Sequence, residues 1–166
     1  MAKDEFANLS IEKVCQQADC SIGALYNHFP TKDVLLEALV VWICIEAREA
    51  VDQACRETPA PLLLRRLVDL TVENYRDRQT FLRAVTGAAL GTRNVWLPIR
   101  RLGQHLVDAF VAAQAPGLAA EAEAQLRFAF QAVFGLLSNE LTNEPGPFGL
   151  AHPQLVDRIC ALIERR

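Results

Sequence analysis

The residues most suggestive of chemistry lie between Ser10 and Lys32, in the stretch SIEKVCQQADCSIGALYNHFPTK. The apolar residues Ile11, Val14, Cys15 and Ala18 have the spacing i, i+3, i+4, i+7, which predicts a short helix. Ser10 can cap the start of this helix. After a turn, Ser21 can cap a second short helix, in which Leu25 and Phe29 share one inward face. Two short helices joined by a tight turn form a helix-turn-helix, whose second helix enters the DNA major groove. Pairs of short helices are common in proteins, so contact with nucleic acid is one hypothesis that the order of residues must support.

Catalytic and metal-binding chemistry has no comparable pattern. The sequence contains no Gly-rich phosphate loop, no Gly-x-Ser-x-Gly and no His-Glu-x-x-His, and its three histidines are far apart in sequence. The five cysteines are odd in number and include no Cys-x-x-Cys pair, and redox sensing through Cys15 and Cys20 has no support in this pattern. A row of acidic residues is typical of a solvated helix face: Glu46, Glu49, Asp52 and Glu57. We expect no catalytic residue, no metal and no cofactor.

The elements that must position the Ser10–Lys32 stretch are predicted to be helices throughout, roughly eight in all. Thr31 caps a long helix that runs to about Thr58, where Pro59-Ala60-Pro61 breaks it. Further helices are predicted over residues 62–78, 80–90, 97–114, 119–142 and 153–164. The sequence shows no β-hairpin signal and no internal repeat, so the predicted fold class is all-α.

Composition is that of a globular protein with 166 residues, of which 51% are hydrophobic and 22% charged. Because no apolar run is long enough to span a bilayer and the N-terminus does not resemble a signal peptide, we expect a cytoplasmic protein without membrane contact. The formal net charge is −3, and residues 1–33 carry three lysines against five acidic residues. This acidic balance opposes the approach of the segment to phosphates.

The order of residues in this stretch resembles the TetR family of transcriptional regulators. The family pattern is a small polar cap, then Leu-Tyr-x-His-Phe, then a Lys that opens the next helix. Its counterparts here are Ser21, Leu25-Tyr26-Asn27-His28-Phe29 and Thr31-Lys32-Asp33, followed by Leu35-Leu36. The resemblance implies a helix-turn-helix domain over residues 1–30 and an effector-binding and dimerisation domain over residues 31–166. It further implies a repressor that releases DNA when a small molecule binds.

The resemblance also implies roles for individual residues. Contacts with phosphates are implied for Ser10, Ser21, Tyr26, His28 and Lys32. Positions facing base edges are implied for Ile22, Gly23, Ala24 and Asn27. Ile22 or Ala24 fits a thymine methyl group, and Asn27 can pair with adenine. Taken singly, Tyr26 and His28 fit a half-buried position against the long helix equally well, but their joint spacing with Lys32 favours DNA.

The resemblance departs from the family at the start of the chain. Family members carry a further helix before the position of Phe6, and that helix covers the apolar faces of the two short helices; only Met1–Glu5 stand there in this sequence. We therefore expect Ile11, Val14 and Leu25 each to lose ~1–2 kcal/mol of burial. We also expect operator DNA to bind weakly or not at all. The alternatives are a misplaced start of the gene or of the cloned sequence, and a family member that has given up DNA binding.

Two further surfaces are predicted in the larger region. Residues that could line a pocket for a mostly apolar effector are Trp42, Asn74, Tyr75, Trp96, Gln104, His105, Phe110 and Phe128. Ordinary core aromatics would give the same pattern. The nearly all-round apolar segment 126–141 and the amphipathic segment 153–164 predict a homodimer through a four-helix bundle. The predicted interface residues are Phe130, Phe134, Leu137, Leu141, Leu155, Ile159 and Leu162.

These observations predict a ligand-responsive, DNA-binding transcriptional repressor. The alternative is a helical small-molecule-binding or interaction protein that no longer binds DNA, which the acidic N-terminal charge supports. A helical-bundle enzyme has no motif in its favour.

Overall fold

The computed structural model describes residues 10–88, 93–114, 120–143 and 149–164, and within these ranges it contains eight α-helices and no strand. The helices are α1 (Ile11–Gln17), α2 (Ile22–His28), α3 (Lys32–Glu57), α4 (Ala60–Asp77), α5 (Gln79–Ala88), α6 (Arg93–Gln114), α7 (Ala120–Thr142) and α8 (Leu155–Glu164). The predicted all-α fold is confirmed.

Helix α6 begins earlier than the sequence pattern predicted. The predicted helix over residues 97–114 has Pro98 in its first turn, where proline is tolerated. The helix begins at Arg93 instead, so Pro98 lies inside it, in the second turn. Proline has no N–H to donate to the carbonyl four residues before it, and this helix therefore continues through a position that lacks one backbone hydrogen bond.

The two short helices form a unit with a small core of its own. Ser10 and Ser21 occupy the N-cap positions that the sequence predicted for α1 and α2. Between the helices lies Asp19, whose φ of 49° is in the left-handed region. The buried residues of this unit are Cys15 of α1, Leu25 of α2 and Leu35 of α3, with half-buried apolar neighbours around them. The unit is therefore attached to the body of the protein through the first turn of α3.

Helix α3 joins this unit to the rest of the fold. The Thr31 hydroxyl accepts a hydrogen bond from the Val34 N–H at 3.2 Å, which caps the helix start. The helix is 26 residues long, and it packs mainly along α6 and also against α4. At a rise of about 1.5 Å per residue, it spans roughly 39 Å. A single continuous helix thus extends from the small N-terminal core into the main core.

The main core is built from α3, α4, α6, α7 and α8. Its fully buried side chains are large and aliphatic: Leu63, Leu67, Leu126, Leu137, Leu155, Ile159 and Ile163. Helices α6 and α7 approach closely at Gly103, where an added Cβ would lie 3.2 Å from the Phe134 ring. A larger residue at position 103 would have to displace that ring.

Polar contacts tie the outer helices to this core. Arg65 of α4 pairs with Asp157 of α8 at 2.6 Å, and both side chains are more than half exposed. The Arg76 guanidinium donates to the carbonyl of Leu150 at 2.6 Å, which holds the segment before α8 against α4. Exposed ion pairs contribute little stability, so the apolar core carries most of the packing energy.

Candidate DNA-binding surface and ligand cavity

Helix α2 exposes nearly all of its residues. Leu25 is the buried residue of this helix and anchors it against Cys15 and Leu35. The remaining six residues are exposed: Ile22, Gly23, Ala24, Tyr26, Asn27 and His28. The structure therefore brings together on one short helix all four residues predicted to face base edges and two of those predicted to face phosphates. These residues are therefore accessible to a partner in the described fold.

The remaining three predicted phosphate contacts lie at helix starts. The Ser21 hydroxyl accepts a hydrogen bond from the Ala24 N–H at 3.1 Å, while Lys32 opens α3 and is half-buried. Ser10 caps α1 by accepting from the Lys13 N–H at 3.4 Å, and its hydroxyl also donates to the Glu12 carboxylate. That hydrogen bond lowers the pKa of Glu12. A negative charge beside Ser10 makes this helix start less favourable for a phosphate than the start of α2.

The packing of the N-terminal unit differs from the expectation of lost burial. Leu25 is only 9% exposed, because α1 and the first turn of α3 enclose it, so the expected loss is wrong for this residue. Ile11 and Val14 are half-buried, in agreement with the expectation of incomplete cover. The segment Met1–Glu5, on which that expectation rested, lies outside the described residues.

A cavity of about 300 Å³ lies between α3, α4, α6 and α7. Its apolar side is formed by Val51, Leu70, Leu102, Leu106 and Phe134, together with two alanines of α3. Its polar side is formed by Glu46, Thr71, Glu73, Asn74, Tyr75, Asp77 and Arg78. The volume is at the lower end of the range for small-molecule sites. We call the charged lining residues Glu46, Glu73, Asp77 and Arg78 the rim of the cavity. A cavity lined by apolar side chains and by this charged rim suits an amphipathic small molecule.

The charges of the rim are predominantly negative. Three carboxylates line the cavity with one guanidinium, Arg78, which contacts Glu46 at 3.3 Å and the Asn74 side-chain oxygen at 2.9 Å. Glu73 and Asp77 are exposed to solvent at the mouth. Burial raises the pKa of the Tyr75 phenol, and a hydrogen bond with Ser138 acts in the opposite direction. The cavity therefore offers negative charge near its opening and a neutral phenol further inside.

Only two of the eight predicted pocket residues, Asn74 and Tyr75, line this cavity. Trp42 is 53% exposed and Phe128 is 73% exposed, so both lie on the surface. His105 contacts Asp52 across α3 and α6 at 2.7 Å.

The other three also lie away from the cavity. Trp96 and Gln104 are exposed on α6. Phe110 is buried in the main core and packs against the Phe130 ring, with the ring centroids 5.7 Å apart. The prediction of a pocket for a mostly apolar effector did not include the three carboxylates that the fold brings to this cavity from α3 and α4.

The predicted dimer residues also need correction. Five of the seven are buried in the core of the single protomer: Phe130, Leu137, Leu141, Leu155 and Ile159. Phe134 packs against that core and forms part of the cavity wall, which leaves Leu162 as the exposed member of the set. Residues already enclosed by their own chain cannot supply a surface to a partner. The exposed row of α7 lies elsewhere on the helix: Phe128, Ala132, Gly135 and Leu136.

The acidic row of α3 and the cysteines form no metal centre within the described residues, where no group of three potential ligands comes together. Instead, Glu46 faces Arg78, Asp52 faces His105 and Glu57 accepts from Gln53 at 3.1 Å. Across the same ranges, no helix is both long enough and apolar enough to cross a membrane.

Comparison with known proteins gives one match. Residues 1–39 match the family model described as bacterial regulatory proteins, tetR family, which covers α1, α2 and the first turns of α3. Among curated proteins and among solved structures, none matches the chain. The matched segment contains the exposed helix α2 but not the cavity.

Proposed function

We propose that this chain, whose residues 1–39 match the tetR family model, is a homodimeric transcriptional repressor released from its operator by a small amphipathic effector. The observation that carries the proposal is the exposed surface of α2, where six of seven residues face solvent while Leu25 holds the helix in place. A recognition helix needs this combination of a rigid inner face and an accessible outer one.

Within that surface, Asn27 is the residue with a side chain suited to base recognition. An exposed amide can donate to and accept from adenine in the major groove, whereas Gly23 and Ala24 offer no hydrogen bond. Ile22 adds an apolar contact that fits a thymine methyl group. Since Asn27 suits adenine and Ile22 suits thymine, a preference for A·T pairs is the expected specificity. Tyr26 and His28 flank these residues on α2.

The test of this proposal is binding of DNA from the native promoter region by variants of α2. Asn27→Ala should weaken binding to the preferred site by ~1–3 kcal/mol and relax specificity at one base position. Gln53→Ala, which removes an exposed amide of α3 far from α2, is the matched control and should bind as the original protein does. Equal losses in the two variants would exclude base recognition by α2.

The proposed effector has an apolar body and a positively charged group. The three rim carboxylates outnumber the single guanidinium, and Arg78 is already engaged by Glu46 and Asn74. The apolar side, with Leu102, Leu106 and Phe134, suits the hydrophobic part of such a molecule.

Helix α3 connects the cavity to the DNA-binding surface. Glu46, Ala47, Ala50 and Val51 of this helix form part of the cavity wall, and Leu35 of the same helix is buried against α1 and α2. Only eleven residues separate Leu35 from Glu46, a rise of about 16 Å along the helix axis. A displacement of α3 by an effector would therefore move the helix-turn-helix unit, which changes the spacing of two recognition helices in a dimer.

The effector proposal is tested by thermal unfolding in the presence of neutral, cationic and anionic amphiphiles of matched size. The cationic set should stabilise the protein most, and ligand at about 100 times its dissociation constant should add about 2.7 kcal/mol. Glu73→Gln should reduce the preference for cations, whereas Glu49→Gln, an exposed carboxylate of α3 outside the cavity, should not. Stabilisation by anionic amphiphiles alone would contradict the proposed effector class.

The proposed dimer interface is the exposed row of α7 together with Leu162 of α8. Phe128, Ala132, Gly135 and Leu136 follow the spacing i, i+4, i+7, i+8 and so share one face of the helix. An added Cβ at Gly135 would meet no atom within 4 Å, so this face is open. Helices α7 and α8 pack against each other, and a second copy would complete a four-helix bundle.

Sedimentation of charge variants tests this interface. Phe128→Glu should shift the protein from dimer to monomer at micromolar concentration, since it places a charge within the proposed apolar contact. Leu62→Glu changes an equally exposed apolar residue of α4 and serves as the control. If Phe128→Glu remained dimeric while the fold was intact, the partner would have to bind elsewhere.

A further inference from the structure

Two cysteines meet at the turn between the helices of the DNA-binding unit. The Cys20 N–H donates to the Cys15 carbonyl at 3.0 Å, across a turn in which Asp19 has a φ of 49°. A helix end with this six-residue hydrogen bond and a left-handed residue before the last donor is a Schellman motif. The motif brings together the residues at its two ends, which here are both cysteines.

The side chains continue this contact. Cys15 is buried in the small core with Leu25 and Leu35, and Cys20 is half-buried against it. Burial raises the pKa of the Cys15 thiol, and a hydrogen bond with the Cys20 thiol raises it further. Cys20 is thus the more exposed residue of the pair, and Cys15 is enclosed by the small core on which Cys20 packs. Disulfides join cysteines whose Cα atoms are about 4.4–6.8 Å apart, and a six-residue turn closed by a backbone hydrogen bond keeps its ends close.

We infer that Cys15 and Cys20 form a dithiol site that reacts with low-molecular-weight disulfides and closes into an intramolecular disulfide. The Cys20 thiolate attacks one sulfur of the small disulfide, forms a mixed disulfide and releases one thiolate. Cys15 loses its proton and attacks the Cys20 sulfur, which expels the second thiolate. The protein gives up two electrons and two protons, and one small disulfide is reduced to two small thiols.

The order of these steps follows from accessibility. Cys20 reacts first because it is only half-buried, whereas Cys15 is buried against Leu25 of α2 and Leu35 of α3. The other cysteines are poorer nucleophiles in the fold: burial raises the pKa of Cys44 and of Cys160 to about 11, and it also raises that of Cys55. Since the pKa of Cys15 is raised as well, closure at the turn depends on the backbone hydrogen bond that holds Cys15 and Cys20 together.

The position of the pair connects this reaction to DNA binding, a consequence that rests on the proposed function. Cys20 immediately precedes Ser21, whose hydroxyl caps α2 through the Ala24 N–H. Disulfide formation shortens the distance between the two sulfur atoms, so the backbone of the turn between α1 and α2 must move. Since α2 starts two residues after Cys20, its exposed residues shift relative to α1. We expect operator affinity to fall roughly tenfold.

The experiment is treatment of the reduced, full-length protein with oxidised glutathione, followed by alkylation and peptide mapping by mass spectrometry. The expected product is a Cys15–Cys20 disulfide with Cys44, Cys55 and Cys160 alkylated. Cys15→Ala should retain glutathione on Cys20, and Cys20→Ser should give no disulfide. Cys160→Ala is the matched control and should form the same disulfide as the original protein. Circular dichroism checks that each variant is folded. If Cys15→Ala unfolds the small core, Cys20→Ser still tests the proposal, because Cys20 is only half-buried.

Retention of glutathione on Cys20 of the original protein, or a disulfide to any other cysteine, would overturn the dithiol site. Promoter DNA binding is measured separately on the reduced and oxidised forms. Disulfide formation with unchanged operator affinity would overturn the link to DNA binding. If the reduced form also failed to bind the promoter, the proposed repressor function would be at fault, whereas the mapped disulfide would still establish the dithiol site.

Discussion

The helix-turn-helix unit (α1, α2 and the first turn of α3) and the helical body (the rest of α3 and α4 to α8) differ in how much of their surface must stay exposed. The unit encloses three buried residues and leaves most of α2 exposed, whereas the body encloses a large cluster of aliphatic and aromatic side chains from five helices. The unit must keep particular side chains on its surface for a partner, so its sequence is restricted in both its inner and outer positions. The body needs only a well-filled core, and many apolar sequences satisfy that requirement. The family match covers residues 1–39, which include the unit and not the cavity of the body.

The largest expected effect concerns the body. Leu67→Ala removes a side chain with no exposed surface from the centre of the main core. It should lower the free energy of unfolding by ~2–5 kcal/mol, because the cavity left behind cannot be refilled by its close-packed neighbours. Leu62→Ala, at a position of α4 that is 58% exposed, is the control and should change it by less than ~0.5 kcal/mol. Chemical denaturation measures both.

A smaller and more local effect is expected in the unit. Leu25→Ala should destabilise α1 and α2 by ~2 kcal/mol, since Leu25 is the residue that fastens α2 to the small core. Hydrogen exchange should show faster opening of residues 11–28 with little change in α4. If α4 lost protection to the same extent, the two regions would unfold as one and the distinction drawn between them would be wrong.

The smallest expected effect is at the turn between α1 and α2. Asp19→Gly should raise the free energy of unfolding by ~0.5 kcal/mol, because glycine adopts the observed φ of 49° without the strain that a side chain introduces. Gln16→Gly, inside α1, should lower it by about 1 kcal/mol through the loss of helix propensity. Opposite signs for the two variants in thermal unfolding would confirm that the left-handed turn is a local property of position 19.

The sequence predicted the unit in more detail than the body. Serine caps and short apolar patterns predicted both helices, because these signals are local. The exposed set on α2 was implied by the resemblance to the family. The dimer residues were wrong for a physical reason: α7 is apolar over much of its circumference, and periodicity does not tell which row faces the chain's own core. Phe130 and Leu137 face inward, and Phe128 faces solvent.

The cavity could not be predicted for a related reason. Glu46 was interpreted as part of a solvated acidic face, which is the common situation on a helix. Packing of α4 against α3 places Arg78 opposite Glu46 and brings Glu73 and Asp77 to the same opening. Such charge clustering depends on contacts between residues about thirty positions apart, which a helical pattern does not contain.

Titration of the reduced protein with DNA tests the central claim, that the exposed residues of α2 read a specific site. Fragments of equal length from the native promoter region and from unrelated sequence are compared at two stated salt concentrations, because phosphate contacts make affinity salt-dependent. Because Leu25 is enclosed and holds α2 in place, the account departs from the sequence-based expectation of weak binding. It predicts that the promoter fragment binds at least ~1,000-fold more tightly than the unrelated one. Equal affinity for the two fragments, or no binding to either at low salt, would contradict it.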